Sequence, residues 1–218
     1  LVFGIMDMIN LAHGSLYMVG AYLAAAVSMA TGPSWLAVLV AMAGTAVIGV
    51  LLEVTLLRRL YARDHLHQVL ATFALILMAN EGVRMIWGPT ALALDPPPSL
   101  AGPVELLPDF GYPAFRLAII AVGLVVALLL YVLVSHTRLG MLVRAGASNR
   151  EMARVMGVRV NLVFTIVFAI GAALCALAGA MLGPLFAVQV GMGESILILA
   201  FVVIVIGGIG SIRGALVG

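Results

Sequence analysis

Residues 8–52 read MINLAHGSLYMVGAYLAAAVSMATGPSWLAVLVAMAGTAVIGVLL, without one Asp, Glu, Lys or Arg. A helix that crosses a bilayer needs about 20 apolar residues, so this run is long enough for two. Gly32-Pro33-Ser34 divides it with a turn signal, and Ser34 is available as the N-cap of the second helix. The reading is one span over 11–31 and another over 35–57.

The rest of the chain repeats that pattern. Of 218 residues, 64% are hydrophobic and 9% charged, with a mean hydropathy of +1.24. A soluble domain carries roughly a quarter charged residues, and 9% cannot clothe a water-facing surface. Composition therefore excludes a soluble enzyme, a nucleic-acid-binding module and a disordered tail. It leaves an all-α polytopic membrane protein of about six spans. The net charge of +2 is too small to call for a polyanionic partner. All the basic residues are arginines, which carries no functional weight. Cys175 is the single cysteine, so no intrachain disulfide is possible. The sequence starts at Leu1 rather than Met and stops at Gly218, where a new apolar stretch begins; the expectation is a fragment lacking both ends.

Four more spans follow at 69–87, 115–135, 161–182 and 195–209. The loop after the second span carries Arg58, Arg59 and Arg63. The segment 136–160 carries Arg138, Arg144, Arg150, Arg154 and Arg159. The loop 88–114 has no arginine, seven prolines and the acids Asp95, Glu105 and Asp109. Two crossings separate the two basic segments, and two more bring Arg213 to the same side. Nine of the eleven arginines then share one face, which the positive-inside rule makes cytoplasmic. The loop 88–114 falls outside.

Small residues recur every four positions: Gly20, Ala24, Ser28 and Gly32 in the first span, and Gly171, Cys175, Gly179 and Gly183 in the fifth, with Ala172, Ala176 and Ala180 beside them. Such stripes let helix backbones approach closely. Plain bundle packing and a sliding surface along a translocation path both fit. Polar groups at membrane depth are few. Glu81 and Arg84 share one helix face at i, i+3, as a structural ion pair or a functional site, with Trp87 as an interface anchor. Glu53 lies near the inner end of the second span, within reach of the interface or Arg58. Asn80 and Gln189 are candidates to line a path. Asp7, Asn10 and His13, just before Gly14, mark a broken or re-entrant helix start, which is tolerated where protein or a cavity covers it.

No enzyme signature emerges, and no catalytic residue or metal site is expected. His13, His65, His67 and His136 form no metal-ligand spacing. Gly208-Ile209-Gly210-Ser211-Ile212-Arg213-Gly214 lacks the Gly-Lys-Ser/Thr ending of a phosphate loop and follows a membrane span rather than a soluble strand. It reads as a tight turn.

The stretch Gly140 to Val160, GMLVRAGASNREMARVMGVRV, is the longest polar segment on the basic side. Ser148 or Asn149 could cap a short helix with Glu151 in its first turn. Ala153, Val155, Met156 and Val158 give it an apolar side; Arg150, Arg154 and Arg159 give a basic one. An interfacial helix on lipid phosphates and a docking element for a cytoplasmic partner are both compatible with that composition.

Three blocks, in order, carry a resemblance. Gly4-Ile5-Met6-Asp7-Met8-Ile9-Asn10-Leu11-Ala12-His13-Gly14-Ser15-Leu16-Tyr17-Met18-Val19-Gly20-Ala21-Tyr22 strongly resembles the opening of the branched-chain amino acid permease family of ABC importers, its LivH-type subunits above all. Glu151-Met152-Ala153-Arg154-Val155-Met156-Gly157 matches the Glu-x-Ala-x-x-x-Gly spacing of the loop by which importer permeases contact their ATPases. Gly207-Gly208-Ile209-Gly210-Ser211-Ile212-Arg213-Gly214-Ala215 resembles a third family block. The general importer motif continues to a Leu-Pro pair; Val167-Phe168-Ala169 has none.

The resemblance implies a single transmembrane permease domain over 1–218, with 136–160 as its cytoplasmic coupling loop and 88–114 as an extracytoplasmic loop. It implies an inner-membrane subunit that pairs with a paralogous (LivM-type) permease and two cytoplasmic ATP-binding subunits. A periplasmic substrate-binding protein would deliver the cargo. The chain itself would bind no cofactor; the partner subunits would use ATP and Mg. The expected coupling residues are Ala147, Arg150, Glu151, Ala153, Arg154 and Gly157, the last for its backbone freedom at a helix end. The expected translocation path runs past Asn10, His13, Gly14, Tyr17 and Gly20. Branched-chain amino acids are the expected cargo. Urea or short amides would suit the same features, and a secondary carrier, a channel or an intramembrane enzyme are the readings from other classes.

Overall fold

The computed structural model describes residues 10–32, 34–61, 63–107 and 110–208. The first family block up to Ile9, including Asp7, and the third from Ile209, including Arg213, lie outside the described residues, as do Pro33 and Asp109.

Among the described residues there are eight α-helices: α1 (His13–Thr31), α2 (Trp35–Leu60), α3 (His65–Trp87), α4 (Ala114–His136), α5 (Arg138–Ser148), α6 (Arg150–Val155), α7 (Val160–Phe186) and α8 (Met192–Gly207). Among the described residues, α1, α2, α3, α4 and α7 are long and apolar enough to cross a membrane. The sixth expected span is α8, a shorter apolar helix of 16 residues, or about 24 Å at 1.5 Å per residue. The polytopic all-α reading therefore holds, with a boundary shift of a few residues at most spans.

Local chemistry sets the helix ends. Gly32, at φ 84°, stops α1 while its N–H bonds the Ser28 carbonyl. Ser34 holds the N-cap position of α2 in extended backbone, yet its hydroxyl makes no capping bond; the turn comes from the backbone, where Ala37 N–H donates to the Ser34 carbonyl. Between Glu53 and Leu57, α2 widens into a π-turn before Arg58–Leu60 resumes the α form. The long proline-rich loop contains a two-stranded antiparallel hairpin, β1 (Pro103–Leu107) with β2 (Phe110–Pro113). A backbone bridge between Leu92 and Val188 fastens this loop to the turn after α7.

The centre of the bundle is α7, which packs against both α1 and α2 while these pack on each other. α8 closes on α1, and α5 lies across the start of α7. The four-residue stripes set these contacts. Gly20 meets Ala176, Gly179 meets Tyr17 and Ala21, and Gly49 meets Ala172, each with no room for a methyl group. Gly14 and Gly193 bring α1 and α8 together in the same way. On α7 the buried members are Ala172, Ala176, Gly179, Ala180 and Gly183, while Gly171 and Cys175 are half-buried. Gly183 faces Leu94 and Val188 rather than another helix. α4 differs: its central face is exposed, with Ile120, Leu124, Val125, Leu128 and Leu129 pointing outward. Such a rod is stable where hydrocarbon replaces water.

Candidate functional site

At one end of the bundle, the turn after α2 and the α5–α6 segment meet. Arg150 places its guanidinium over the rings of Phe164 and Tyr61, 4.9 and 5.5 Å from their centroids. Both arginine-bearing segments thus occupy the same end of the molecule. The short helix suggested after Ser148 or Asn149 is α6, and a second one, α5, precedes it. Thr137 caps α5 by accepting from Gly140 N–H. Asn149 caps α6 by accepting from Met152 N–H at 2.9 Å. Gly157, at φ 84°, ends α6: its N–H bonds the Arg154 carbonyl and Val158 N–H bonds that of Ala153. This paired arrangement is a Schellman stop, which favours glycine.

The expected apolar side of α6 is divided. Ala153 is buried in the core cluster with Val143, Val160 and Phe164. Met152, Val155 and Met156 point outward, the last two 83% and 79% exposed. Ala147, Glu151 and Arg154 are exposed beside them. A six-residue helix offers too few positions for an apolar stripe and a basic stripe, so its faces become one inward anchor and one outward apolar patch.

Behind α6 lies a polar network. Glu53, 0% exposed, accepts from Arg58 Nη2 at 3.1 Å, Tyr61 Oη at 3.2 Å and Thr165 Oγ1 at 2.7 Å. Arg58 also donates to Thr165 Oγ1 at 2.9 Å. A buried carboxylate is tolerated only when its oxygens are satisfied this way. Burial, and after it the Glu53 charge, pushes the Tyr61 phenol up from its ordinary value, so Tyr61 remains a donor. The sequence offered Glu53 and Arg58; it gave no sign of Tyr61, Phe164 or Thr165. The acid inside an apolar run was the usable signal, but its α7 partner is 112 positions away.

The expected path residues lie along the start of α1. Asn10 Oδ1 accepts from Ala12 N–H, which holds the irregular turn before the helix. His13 packs edge-on to Phe168 at 5.1 Å. Gly14, Tyr17 and Gly20 are in close helix contacts, so this region is packed shut. Asn10 Nδ2, His13 Nε2, Ser15 Oγ and Tyr22 Oη are buried without hydrogen-bond partners among the described residues.

A second polar group, near the opposite end, joins α3 to α8. Asn80 Nδ2 donates to Glu194 Oε1 at 2.7 Å, beside a small cleft lined by Gly14, Ser15, Met18 and Gly193. Glu81 and Arg84 do pair, at 3.4 Å, on an exposed face of α3. Gln189 is exposed in the turn between α7 and α8. Glu194 was missed because it stands next to a turn, where an acid is unremarkable. No group of three metal-ligating side chains occurs among the described residues.

Five helices long and apolar enough to cross a membrane, joined by close glycine contacts, define a multi-pass α-helical membrane protein. The family described as "Branched-chain amino acid transport system / permease component" matches residues 1–218, and the chain belongs to it. Relatives include the high-affinity branched-chain amino acid transport system permease protein LivH of Salmonella typhimurium and that of Escherichia coli K12. Each is 31% identical over 234 residues, covering 100% of this chain and 75% of the relative. The corresponding permease protein BraD of Pseudomonas aeruginosa is 30% identical over 241 residues, with the same coverage. No solved structure matches the chain.

Proposed function

We propose that the protein is a permease subunit of an ATP-driven ABC importer that moves branched-chain amino acids across a bacterial inner membrane. Its partners are a paralogous permease, two cytoplasmic ATP-binding subunits that use ATP and Mg, and a periplasmic binding protein that delivers substrate. Residues 136–160 form the coupling loop on the cytoplasmic side, and 88–114 lies outside.

The observation that carries this reading is the build of α6. It is capped by Asn149 and stopped at Gly157. It is anchored inward by Ala153 and Arg150 and carries Met152, Val155 and Met156 outward at the arginine-rich end. An exposed apolar patch beside charged residues suits a protein partner better than water. Ala147, Glu151 and Arg154 form the rim of that contact. For translocation, the polar atoms along α1 that have no partner among the described residues offer hydrogen bonds to a zwitterion once Gly14, Tyr17 and Gly20 separate from α7 and α8. Opening and closing of that contact would be a population shift between two packed states. Family membership and the relatives' printed names support the amino acid cargo.

The test is co-purification from membranes, followed by reconstitution. Recovery of a second permease with two ATPases, and binding-protein-dependent uptake of labelled leucine in preference to urea, is the expected result. Uptake driven by an ion gradient without nucleotide hydrolysis would overturn it.

A further inference from the structure

We propose that the Glu53–Thr165 hydrogen bond is a latch through which movement of α6 reaches the membrane helices, with Glu53 and Thr165 as positioning residues for energy coupling. This rests on the reading of α6 as the ATPase-docking element.

Three observations carry it. First, Glu53 is satisfied from two helices: Arg58 and Tyr61 belong to its own rod and the turn after it, whereas Thr165 reaches it from α7. Second, the Thr165 hydroxyl has two acceptors within reach, Glu53 Oε2 at 2.7 Å and the Asn161 carbonyl at 2.9 Å. One hydroxyl has one hydrogen. Donation to Glu53 ties α7 to the α2 carboxylate; donation to Asn161 closes a bond within α7 and leaves the Arg58 Nη2 bond to Thr165 Oγ1 as the remaining polar tie between the two helices at this point. Two discrete arrangements of nearly equal geometry are what a switch needs. Third, α6 contacts the residues on either side of this choice. Arg154 Nη2 donates to Asn161 Oδ1 at 3.4 Å, and Arg150 lies over Tyr61 and Phe164, the neighbour of Thr165. α6 therefore meets the side chain of Asn161, whose backbone carbonyl is one of the two acceptors open to Thr165, the other being Glu53. Glu53 opens the π-turn Glu53–Leu57, the place where α2 departs from regular α-helix; π-turns frequently sit at functional sites.

The experiment uses the complete transporter in proteoliposomes, with ATP hydrolysis and leucine uptake measured together. Thr165→Val keeps the shape and removes the hydroxyl; Thr165→Ser restores it. With Thr165→Val, the subunits should still co-purify and hydrolysis without binding protein should be unchanged. Leucine moved per ATP should fall about tenfold, within the usual span of coupling free energies. Thr165→Ser should recover most of that loss. Uptake per ATP equal to the parent in Thr165→Val, or an equal loss in Thr165→Ser, would overturn the latch. Glu53→Gln supplies an independent arm if Thr165→Val fails to assemble. Its uptake per ATP should likewise fall, and a value equal to the parent would overturn the latch; where Thr165→Val does assemble, the two losses should not add, and additive losses count against a shared latch. A parent that pumps while every variant pumps equally well removes the latch alone; a parent that takes up leucine without hydrolysing ATP removes the docking reading too.

Discussion

Gly20 of α1 rests directly on Ala176 of α7, so close that a methyl group on Gly20 would come within 2.5 Å of the Ala176 Cβ. The neighbouring contact, Gly49 on Ala172, is almost as tight, at 2.6 Å. With no hydrophobic drive between helices in lipid, such close backbone approach supplies dispersion and weak hydrogen bonds instead.

Gly20→Val should therefore separate α1 from α7 and destabilise the bundle by about 1–3 kcal/mol, the usual range for overpacking. Gly82→Ala, on α3 with nothing within 4 Å, should be neutral or slightly stabilising, since Ala is the better helix former by up to ~1 kcal/mol. Thermal unfolding in detergent, followed by size-exclusion of the surviving monodisperse protein, separates the two. Equal losses would mean that the Gly20 contact does not hold the bundle.

Gly157→Val forces a branched side chain into a positive-φ position, at a backbone cost of about 1–3 kcal/mol. The strain falls in the turn before α7 and outside the membrane-crossing helices, so membrane insertion should persist. ATP hydrolysis stimulated by the binding protein should be lost. Glu151→Arg should give the same phenotype by reversing the charge at the α6 first turn. Stimulated hydrolysis that survives both changes would remove α6 from the coupling role.

Met156→Asp and Val155→Asp place a carboxylate in the outward patch of α6, where neither residue touches the bundle core. The permease should fold and insert, while recovery of the ATP-binding subunits on pull-down should drop at least about tenfold, as for a central interface contact. Unchanged recovery would place the ATPase elsewhere.

Asn149→Ala removes the hydrogen bond to Met152 N–H and should cost α6 about 1 kcal/mol, the usual worth of an N-cap. Hydrogen exchange over residues 150–155 should quicken several-fold while that of α7 stays slow. If exchange there is unchanged, the cap does not hold the helix.

Sidedness is directly measurable. In a Cys175→Ala background, Arg154→Cys should react with an impermeant thiol reagent only from the cytoplasmic face, and Ser99→Cys, in the 88–114 loop, only from outside. The reverse pattern would invert the topology and end the docking proposal.

The spans were legible because each is a physical necessity written locally. An apolar run, a Gly32 stop and an arginine bias need no partner to be read. The cap at Asn149 and the backbone freedom wanted at Gly157 were readable for the same reason: they depend on a few adjacent residues. The hairpin in 103–113 was hidden because seven prolines dominate that loop and the strands carry little alternation. The division of α6 into buried Ala153 and exposed Val155 was also hidden, since composition does not say which side meets α7.

What the sequence determined by itself is that this chain crosses a membrane several times, that its two arginine-bearing segments share an end, and, to within a few residues, where its spans stop. The tertiary structure alone decided which small residues face each other and that Thr165 completes the shell of Glu53. It also left Met152, Val155 and Met156 outward. The reason is range: solvation, capping and charge bias act over a few neighbouring residues, whereas a contact between α2 and α7 joins positions more than a hundred residues apart. Folding brings such pairs together, and no local pattern encodes them.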